Sequence, residues 1–170
     1  MRDRRGIALT EFAFSLPLLL LLLLGCFTYT NGMACSRKVM ITTRAIADLT
    51  SRQNSVTRAS LDDILAVDAS LLSPFTVARS HGRVSQIAVD GSGRASVAWS
   101  RGRNQTPLVA GSTYPLASSI AYANSYYIVA ELSYDYVALP GPGSLGTRTF
   151  SQSILMIPRK STSITCGDCA

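Results

Sequence analysis

Histidine and charged residues are scarce in this sequence. Its 170 residues include a single histidine, His81, and only 15% of them are charged. There is no G-x-S-x-G or H-E-x-x-H motif, and no second histidine with which to build a catalytic triad or a metal site. Gly91 and Gly93 are not followed by G-K-[ST], so they do not form a phosphate loop. We therefore expect a protein that is not an enzyme and that holds no cofactor or metal.

Charge is absent altogether from one stretch near the N-terminus. The 18 residues Phe12–Tyr29 read FAFSLPLLLLLLLGCFTY and contain no Lys, Arg, Asp or Glu. A helix of that length spans about 27 Å, close to the hydrocarbon thickness of a bilayer. Arg2, Arg4 and Arg5 precede it, and positive flanks stay on the cytoplasmic side. The sequence predicts one span of the bacterial inner membrane, with the C-terminal region periplasmic or extracellular.

Such an N-terminus allows three interpretations. A secretory signal peptide would need a small-residue cleavage site after the apolar run, and none is convincing near Thr28–Asn31. A lipoprotein signal is a stronger alternative, because Leu23–Cys26 resembles a lipobox in which Cys26 would be lipidated. Its weaknesses are the bulky Leu24 before the glycine and the unexplained Glu11 at the start of the apolar segment.

Gly6 and Glu11 favour the third interpretation. A basic leader, a glycine and a glutamate five residues later resemble the start of a type IV pilin. The resemblance implies that a prepilin peptidase cuts between Gly6 and Ile7, and a glycine there lets the backbone leave the helical conformation. It also implies that Glu11 pairs with the N-terminal amine of a neighbouring subunit. Opposite charges about 4 Å apart attract by roughly 4 kcal/mol at an effective dielectric near 20.

Four segments narrow the resemblance further. They are GIALTEFAFSLPLLLLLLLG, Val84–Arg101, Tyr127–Val137 and Pro158–Cys166. Together they resemble the TadE-like family, the minor pilins or pseudopilins of the tight-adherence (Flp, type IVc) pilus. The resemblance implies a membrane-anchored precursor that helps to assemble, initiate or cap a pilus. Its partners would be the inner membrane, the prepilin peptidase, other minor and major pilins and the pilus assembly platform.

The alternative function is a lipoprotein, or an uncleaved signal-anchored envelope protein with a small binding domain. The mature N-terminus distinguishes it from a processed pilin.

Helical periodicity continues past the apolar run. Val39, Ile46 and Leu49 recur at helical spacing and no proline interrupts residues 31–53, so one helix over Ile7–Arg52 is expected. Ser60, with Asp63 three residues later, predicts the N-cap of a second, short helix. The expected divisions are a cytoplasmic leader over residues 1–6, a transmembrane helix over 7–30, its exported continuation over 31–57 and an extracytoplasmic domain over 58–170.

The rest of the chain has the alternation of strands. Ser85–Val89 and the apolar positions Ala95, Val97 and Trp99 flank a D-G-S-G turn and predict a hairpin. Tyr126–Val137 alternates between apolar and polar residues and predicts a half-buried strand, and Arg148–Ile157 predicts the last one. The fold class is α+β: a long N-terminal helix, membrane-spanning in its first half, with a small antiparallel sheet in a pilin-like arrangement.

The four cysteines allow several arrangements. Cys166 and Cys169 could form a redox pair, half of a zinc site or a structural disulfide, and the last is favoured in an oxidising compartment. The disulfide could join Cys166 to Cys169 or join one of them to Cys35. Cys26 lies within the apolar run and should stay unpaired unless it is lipidated.

The net charge of +6 does not indicate a nucleic-acid surface. The arginines between residues 79 and 103 are scattered, without interleaved aromatic residues, so we expect a solvated basic face and no nucleic-acid partner.

Overall fold

One long helix and a four-stranded antiparallel sheet form the framework of the protein. The structure is a computed structural model that describes the backbone of residues 5–138 and 146–169, with side chains from Leu9 onward. The elements are α1 (Arg5–Ser51), β1 (Ser55–Val56), α2 (Arg58–Ala66), α3 (Asp68–Leu71), a 3-10 turn (Val77–Arg79), β2 (Ser80–Val89), β3 (Ala95–Arg103), β4 (Tyr126–Val137), β5 (Thr147–Met156) and β6 (Thr165–Cys166). The main sheet has the order β3-β2-β4-β5, and β1 pairs in parallel with β6. The predicted α+β class is confirmed.

Only the second half of α1 packs against the sheet. From Gly32 onward, buried positions such as Cys35, Val39 and Ile46 recur every three or four residues, which is the spacing of one helix face. Buried threonines on this face donate their hydroxyl hydrogens to carbonyls one turn back, as Thr43 does to Val39 at 2.7 Å. The predicted single helix is therefore observed, and its C-terminal half is an integral part of the core of the domain.

Three apolar clusters hold the domain together. The helix-side cluster lies between α1, α2 and the sheet and comprises Ile46, Ala47, Val56, Leu61, Leu65, Val84, Trp99, Ile128, Ala130 and Ile164. The outer-face cluster, on the opposite side of the sheet, comprises Ile87, Val89, Ala95, Val97, Tyr127 and Val129, covered by side chains of residues 108–121. The foot cluster, at the end nearest the apolar half of α1, comprises Cys35, Val39, Leu72, Leu132 and Tyr134.

The hairpin of β2 and β3 is confirmed, but its apolar residues do not share one face. The pairing steps from Gln86 opposite Trp99 to Ile87 opposite Val97, so Ala98 is an extra residue in β3. This β-bulge rotates the strand. As a result Trp99 belongs to the helix-side cluster while Val97 belongs to the outer-face cluster.

Strand β4 has the predicted bounds but is more buried than a strand with one solvated face. It lies between β2 and β5 in the sheet, and its residues Tyr127–Ala130 are all buried. The segment 108–121 covers the outer face at this end, a contact that alternation within β4 cannot reveal. Only the second half of β4, from Glu131, alternates between buried and partly exposed positions.

The N-cap of α2 is Thr57 and not Ser60, which corrects the sequence prediction. The Thr57 side chain accepts a hydrogen bond from the Ser60 backbone N–H at 3.2 Å, and the Thr57 N–H donates to the Ser60 hydroxyl at 2.8 Å. Ser60 is thus the third helical residue of a capping box, a role that glutamate or glutamine usually fills. A serine at the third position hid the motif from the sequence analysis.

Two buried side chains of the sheet, Trp99 and Gln86, form hydrogen bonds with the backbone of the C-terminal segment. Trp99 donates its indole N–H to the carbonyl of Ile164 at 2.8 Å, and the Ile164 N–H donates to the Gln86 side-chain oxygen at 2.7 Å. Both backbone groups of this buried residue are therefore satisfied, as burial requires. Further up the chain, the Arg159 N–H donates to the carbonyl of Ser51, the last residue of α1, at 2.8 Å.

Most of the scattered arginines are held in ion pairs, so the expected solvated basic face is not what the structure shows. Arg83 pairs with Glu131, Arg94 with Asp90, Arg101 with Asp62 and Arg103 with the buried Asp68. The Arg101 guanidinium binds both oxygens of Asp62, at 2.7 and 2.8 Å. These hydrogen bonds hold the pKa of Asp62 below its usual value.

Candidate membrane anchor and assembly segment

The first half of α1 presents an apolar surface that its own domain does not cover. From Leu9 to Tyr29 its large side chains are exposed, Phe14 by 85% and Leu9 by 73%. The helix that contains them is the one described helix long and apolar enough to cross a membrane. Exposed apolar area on this scale requires lipid or another protein to cover it. It is compatible with a single-pass membrane anchor.

Glu11 lies exposed near the start of this apolar surface. Among the side chains that the structure describes, none forms an ion pair or hydrogen bond with its carboxylate. Four residues separate it from Ile7, which is about one helical turn. The sequence prediction placed Glu11 within reach of an amine on a neighbouring subunit, and the carboxylate is free for such a contact.

The predicted cleavage site lies at the very beginning of α1. The backbone of Gly6 and Ile7 is helical, in the first turn after Arg5, and their side chains are not described. Leader residues 1–4 lie outside the described chain.

The folded domain begins immediately beyond the apolar surface. A Cβ at Gly32 would lie 3.7 Å from the Tyr136 ring and 3.8 Å from the Phe150 ring, so a glycine allows close contact between α1 and the ends of β4 and β5. The Tyr136 hydroxyl donates to the carbonyl of Thr28 at 3.4 Å. We call this membrane-proximal end, where α1 meets the β4 and β5 ends, the foot of the domain.

Strand β5 rises from the foot alongside α1. Phe150, near its start, packs in the foot cluster, and Met156, at its end, packs in the helix-side cluster with Ile46. Beyond Met156 the chain reaches Ser51 through the Arg159 hydrogen bond. Strand β5 and the second half of α1 therefore run in the same direction, away from the apolar half of the helix.

The structure separates the four cysteines into three environments. Cys166 and Cys169 are joined in a disulfide, with Cα atoms 5.6 Å apart. Between them, Asp168 accepts the backbone N–H of Arg58, at the start of α2, at 2.9 and 3.2 Å. Cys35 is a buried free thiol in the foot cluster, and Cys26 is exposed on the apolar half of α1. Ligand atoms of Cys166, Asp168 and Cys169 lie within 4.8 Å of one another, but the disulfide leaves no thiolate pair for a metal.

Residues 6–47 match the model of the family described as TadE-like protein. The match covers the N-terminal part of the chain, about a quarter of its length. The matched segment contains the predicted cleavage site, Glu11, Cys26 and the first buried turns of the exported domain. The resemblance seen in the sequence is confirmed over this segment. No curated protein and no solved structure matches the chain.

The TadE-like match identifies a pilin-like structural family associated with pili. Together with the exposed apolar helix, it indicates a pilus-associated protein with an N-terminal segment like a membrane anchor.

The sequence analysis missed the arginines at the foot. Arg37 and Arg148 line a groove between α1 and the ends of β4 and β5, and Arg79 lines a second groove on the other side of Tyr136. They lie on a helix, a 3-10 turn and a strand that are far apart in the sequence. Only the folded chain brings them together, so no local motif could have indicated them.

Proposed function

We propose that this protein is a minor pilin or pseudopilin of a tight-adherence pilus. It is inserted in the inner membrane as a precursor with its N-terminus in the cytoplasm, and a prepilin peptidase cleaves it between Gly6 and Ile7. One observation carries the proposal: the TadE-like segment is a helix whose first half, Leu9–Tyr29, is apolar and unpacked, with one carboxylate, Glu11, near its start.

The Glu11 carboxylate is the reason to expect that subunits assemble through contacts between their N-terminal helices. An ionised side chain at the edge of a bilayer is costly unless it finds a partner. Cleavage would create an amine on Ile7 of every subunit, and Glu11 of an adjacent subunit would neutralise it. An attraction of roughly 4 kcal/mol at an effective dielectric near 20 is enough to fix the register between two packed helices.

The exported domain would supply the specific contacts that a minor subunit makes. It would project from the membrane, with residues 7–30 as the span, 31–57 as the exported segment that contains the end of the helix, and 58–170 as the domain proper. The partners in this proposal are other minor and major pilins and the pilus assembly platform, and no nucleic acid. The subunit would initiate or cap the fibre.

The mature N-terminus tests the processing step. The protein is extracted from bacterial membranes and its intact mass and N-terminal peptide are measured by mass spectrometry. An N-terminus at Ile7 is the expected result. A chain that still begins at Met1 contradicts cleavage, and a lipidated Cys26 at the N-terminus supports the lipoprotein alternative in its place.

Substitution of Glu11 tests assembly separately from processing. The variant Glu11→Ala should still be cleaved but should enter the assembled fraction at least about tenfold less, since loss of only a third of the pairing energy has that effect. Ser15→Ala, one turn along the same helix face, is the matched control and should assemble normally. Wild-type pilus yield in the Glu11 variant would refute the pairing role.

A further inference from the structure

We propose that the foot of the exported domain binds the phosphate groups of anionic phospholipids through Arg37, Arg79 and Arg148. The lipids are those of the leaflet into which α1 emerges. This inference requires the membrane anchor but not cleavage at Gly6 or incorporation in a fibre. It assigns a binding surface to residues outside the processing and assembly segment.

Two of the arginines lie at the level where the apolar helix ends. Arg148 of β5 pairs in register with Tyr136 of β4, and the Tyr136 hydroxyl reaches the carbonyl of Thr28. Arg79 lines a groove of about 330 Å³ together with Phe27 and Thr28. Tyrosine side chains such as those of Tyr29 and Tyr136 are typical of the interface between lipid and water. The geometry puts both guanidinium groups beside the headgroup layer.

Arg37 can reach the same layer from above. It lies eight residues beyond Tyr29, which corresponds to about 12 Å along the helix axis. Side chains on a helix lean toward its N-terminus, and here that direction is toward the membrane. The headgroup region extends roughly 5–8 Å beyond the hydrocarbon of each leaflet. A long arginine side chain covers the remaining distance.

The groove between α1 and the strand ends suits a phospholipid headgroup. Its volume is about 770 Å³, and apolar side chains of Tyr29, Met33 and Phe150 line it together with Arg37 and Arg148. Thr28 lines both grooves, and its hydroxyl oxygen is buried without a hydrogen-bond partner among the described residues. A buried hydroxyl normally has a partner. A phosphate or glycerol oxygen in the groove would provide it.

The charges at the foot are not neutralised within the described part of the chain. Arg37, Arg79 and Arg148 form no ion pair there, whereas Arg83, Arg94, Arg101, Arg103 and Arg159 each do. Neither groove is lined by an acidic residue that the structure describes. The nearby Asp135 is already engaged by the Thr149 hydroxyl at 2.6 Å and by His81 at 3.4 Å.

The chemistry of the three side chains suits a phosphate group. A guanidinium group presents planar paired donors that match two phosphate oxygens. Each basic residue near an anionic membrane surface favours association by about fivefold. The adjacent bilayer offers phosphates at high local concentration, so a lipid is the occupant to which we commit.

Competition between lipids tests the proposal on the full-length protein. The protein is purified in mixed micelles that contain equal amounts of phosphatidylglycerol and phosphatidylcholine, and the retained lipids are counted by native mass spectrometry. Wild type should retain phosphatidylglycerol in preference by about fivefold or more. The double variant Arg37→Gln, Arg148→Gln should lose most of that preference, and adding Arg79→Gln should remove what remains.

A charge-matched variant provides the control. Arg44→Gln, Lys160→Gln also removes two positive charges, but neither residue lines a groove at the foot, so it should behave as wild type. Near-ultraviolet circular dichroism of Trp99 verifies that all variants are folded. Equal lipid preference in both double variants overturns the proposal. Displacement of phosphatidylglycerol by soluble glycerol phosphate also overturns it, because the ligand would then be a free anion.

Discussion

Asp68 illustrates how a single buried acid organises its surroundings. Its carboxylate accepts the Ser80 hydroxyl at 2.6 Å and the Arg103 guanidinium at 2.8 Å. The side chain of Asp68 is only 2% exposed, and that of Arg103 is 34% exposed. The three residues lie in α3, β2 and β3, so the contact ties the short helix α3 to the two paired strands.

Replacement of this carboxylate should be costly. We expect Asp68→Asn to lower the free energy of unfolding by about 2 kcal/mol, because the buried amide pairs poorly with a guanidinium and Arg103 loses its counter-charge. Chemical denaturation followed by Trp99 fluorescence measures the change. Asp63→Asn, at an exposed position, is the control and should change stability by less than about 0.5 kcal/mol. Equal effects of the two substitutions would contradict the role of Asp68.

At the residue scale, the sequence identified residues of unusual type, but it did not reveal the helix cap, the β-bulge or the tertiary contacts. Gly6, Glu11 and the apolar run stand out because their residue types are unusual where they occur, and the family match covers them. Thr57 was missed because its partner in the capping box is a serine, and Ala98 was missed because a β-bulge has no residue signature of its own. Arg37, Arg79 and Arg148 were missed because only tertiary contact unites them.

Among the elements, the C-terminal loop has a structural role that its Cys-Gly-Asp-Cys sequence does not disclose. Its disulfide holds Asp168 against the first N–H group of α2, and β6 pairs with β1 just before that helix. A carboxylate at this position complements the positive end of the helix. The loop therefore stabilises the start of α2 from outside the helix.

Removal of the disulfide should destabilise the domain modestly. Closing a four-residue loop contributes about 2 kcal/mol by the chain-entropy relation, so the double variant Cys166→Ser, Cys169→Ser should lose about that much unfolding free energy. Dithiothreitol should reduce the stability of wild type to the same level. The double variant itself should be insensitive to the reductant. Loss of the reductant effect in the single variant Cys35→Ser would instead place the disulfide between Cys35 and one of the two C-terminal cysteines.

The strands were largely predictable and their partners were not. Alternation and turn residues gave the hairpin, β4 and β5 nearly to the residue. The placement of β4 at the centre of the sheet depends on long-range pairing, and the two-residue strands β1 and β6 are too short to have a period. Burial of both faces of β4 follows from those neighbours and could not be read from β4 itself.

In the whole molecule, the two halves of α1 have different surroundings. The first half exposes apolar side chains that its own domain does not cover, and the second half packs in the core of the domain. The buried positions of the core begin at Gly32, whereas residues 9–29 contribute exposed apolar surface. The boundary lies close to the predicted end of the span at residue 30. Residues that stabilise the fold and residues compatible with a membrane anchor therefore occupy consecutive stretches of one helix.

A chain that begins at Asn31 should consequently fold in water. We expect it to be monomeric in solution and to differ from the full-length protein in unfolding free energy by no more than about 1 kcal/mol, the value of the lost hydrogen bond between Tyr136 and Thr28. Gel filtration and thermal unfolding measure both properties. A shortened chain that aggregates or lacks a cooperative transition would show that the first half of α1 supports the core.

The common direction of β5 and the second half of α1 has a mechanical consequence. A force applied between the start of α1 and the far end of the domain acts along both elements at once, so it loads their contact in shear. Strands β4 and β5 are paired over ten positions, and that whole row of hydrogen bonds is loaded together. The force is thus distributed over the longest contacts of the domain, with the Ser51–Arg159 hydrogen bond as the outermost link.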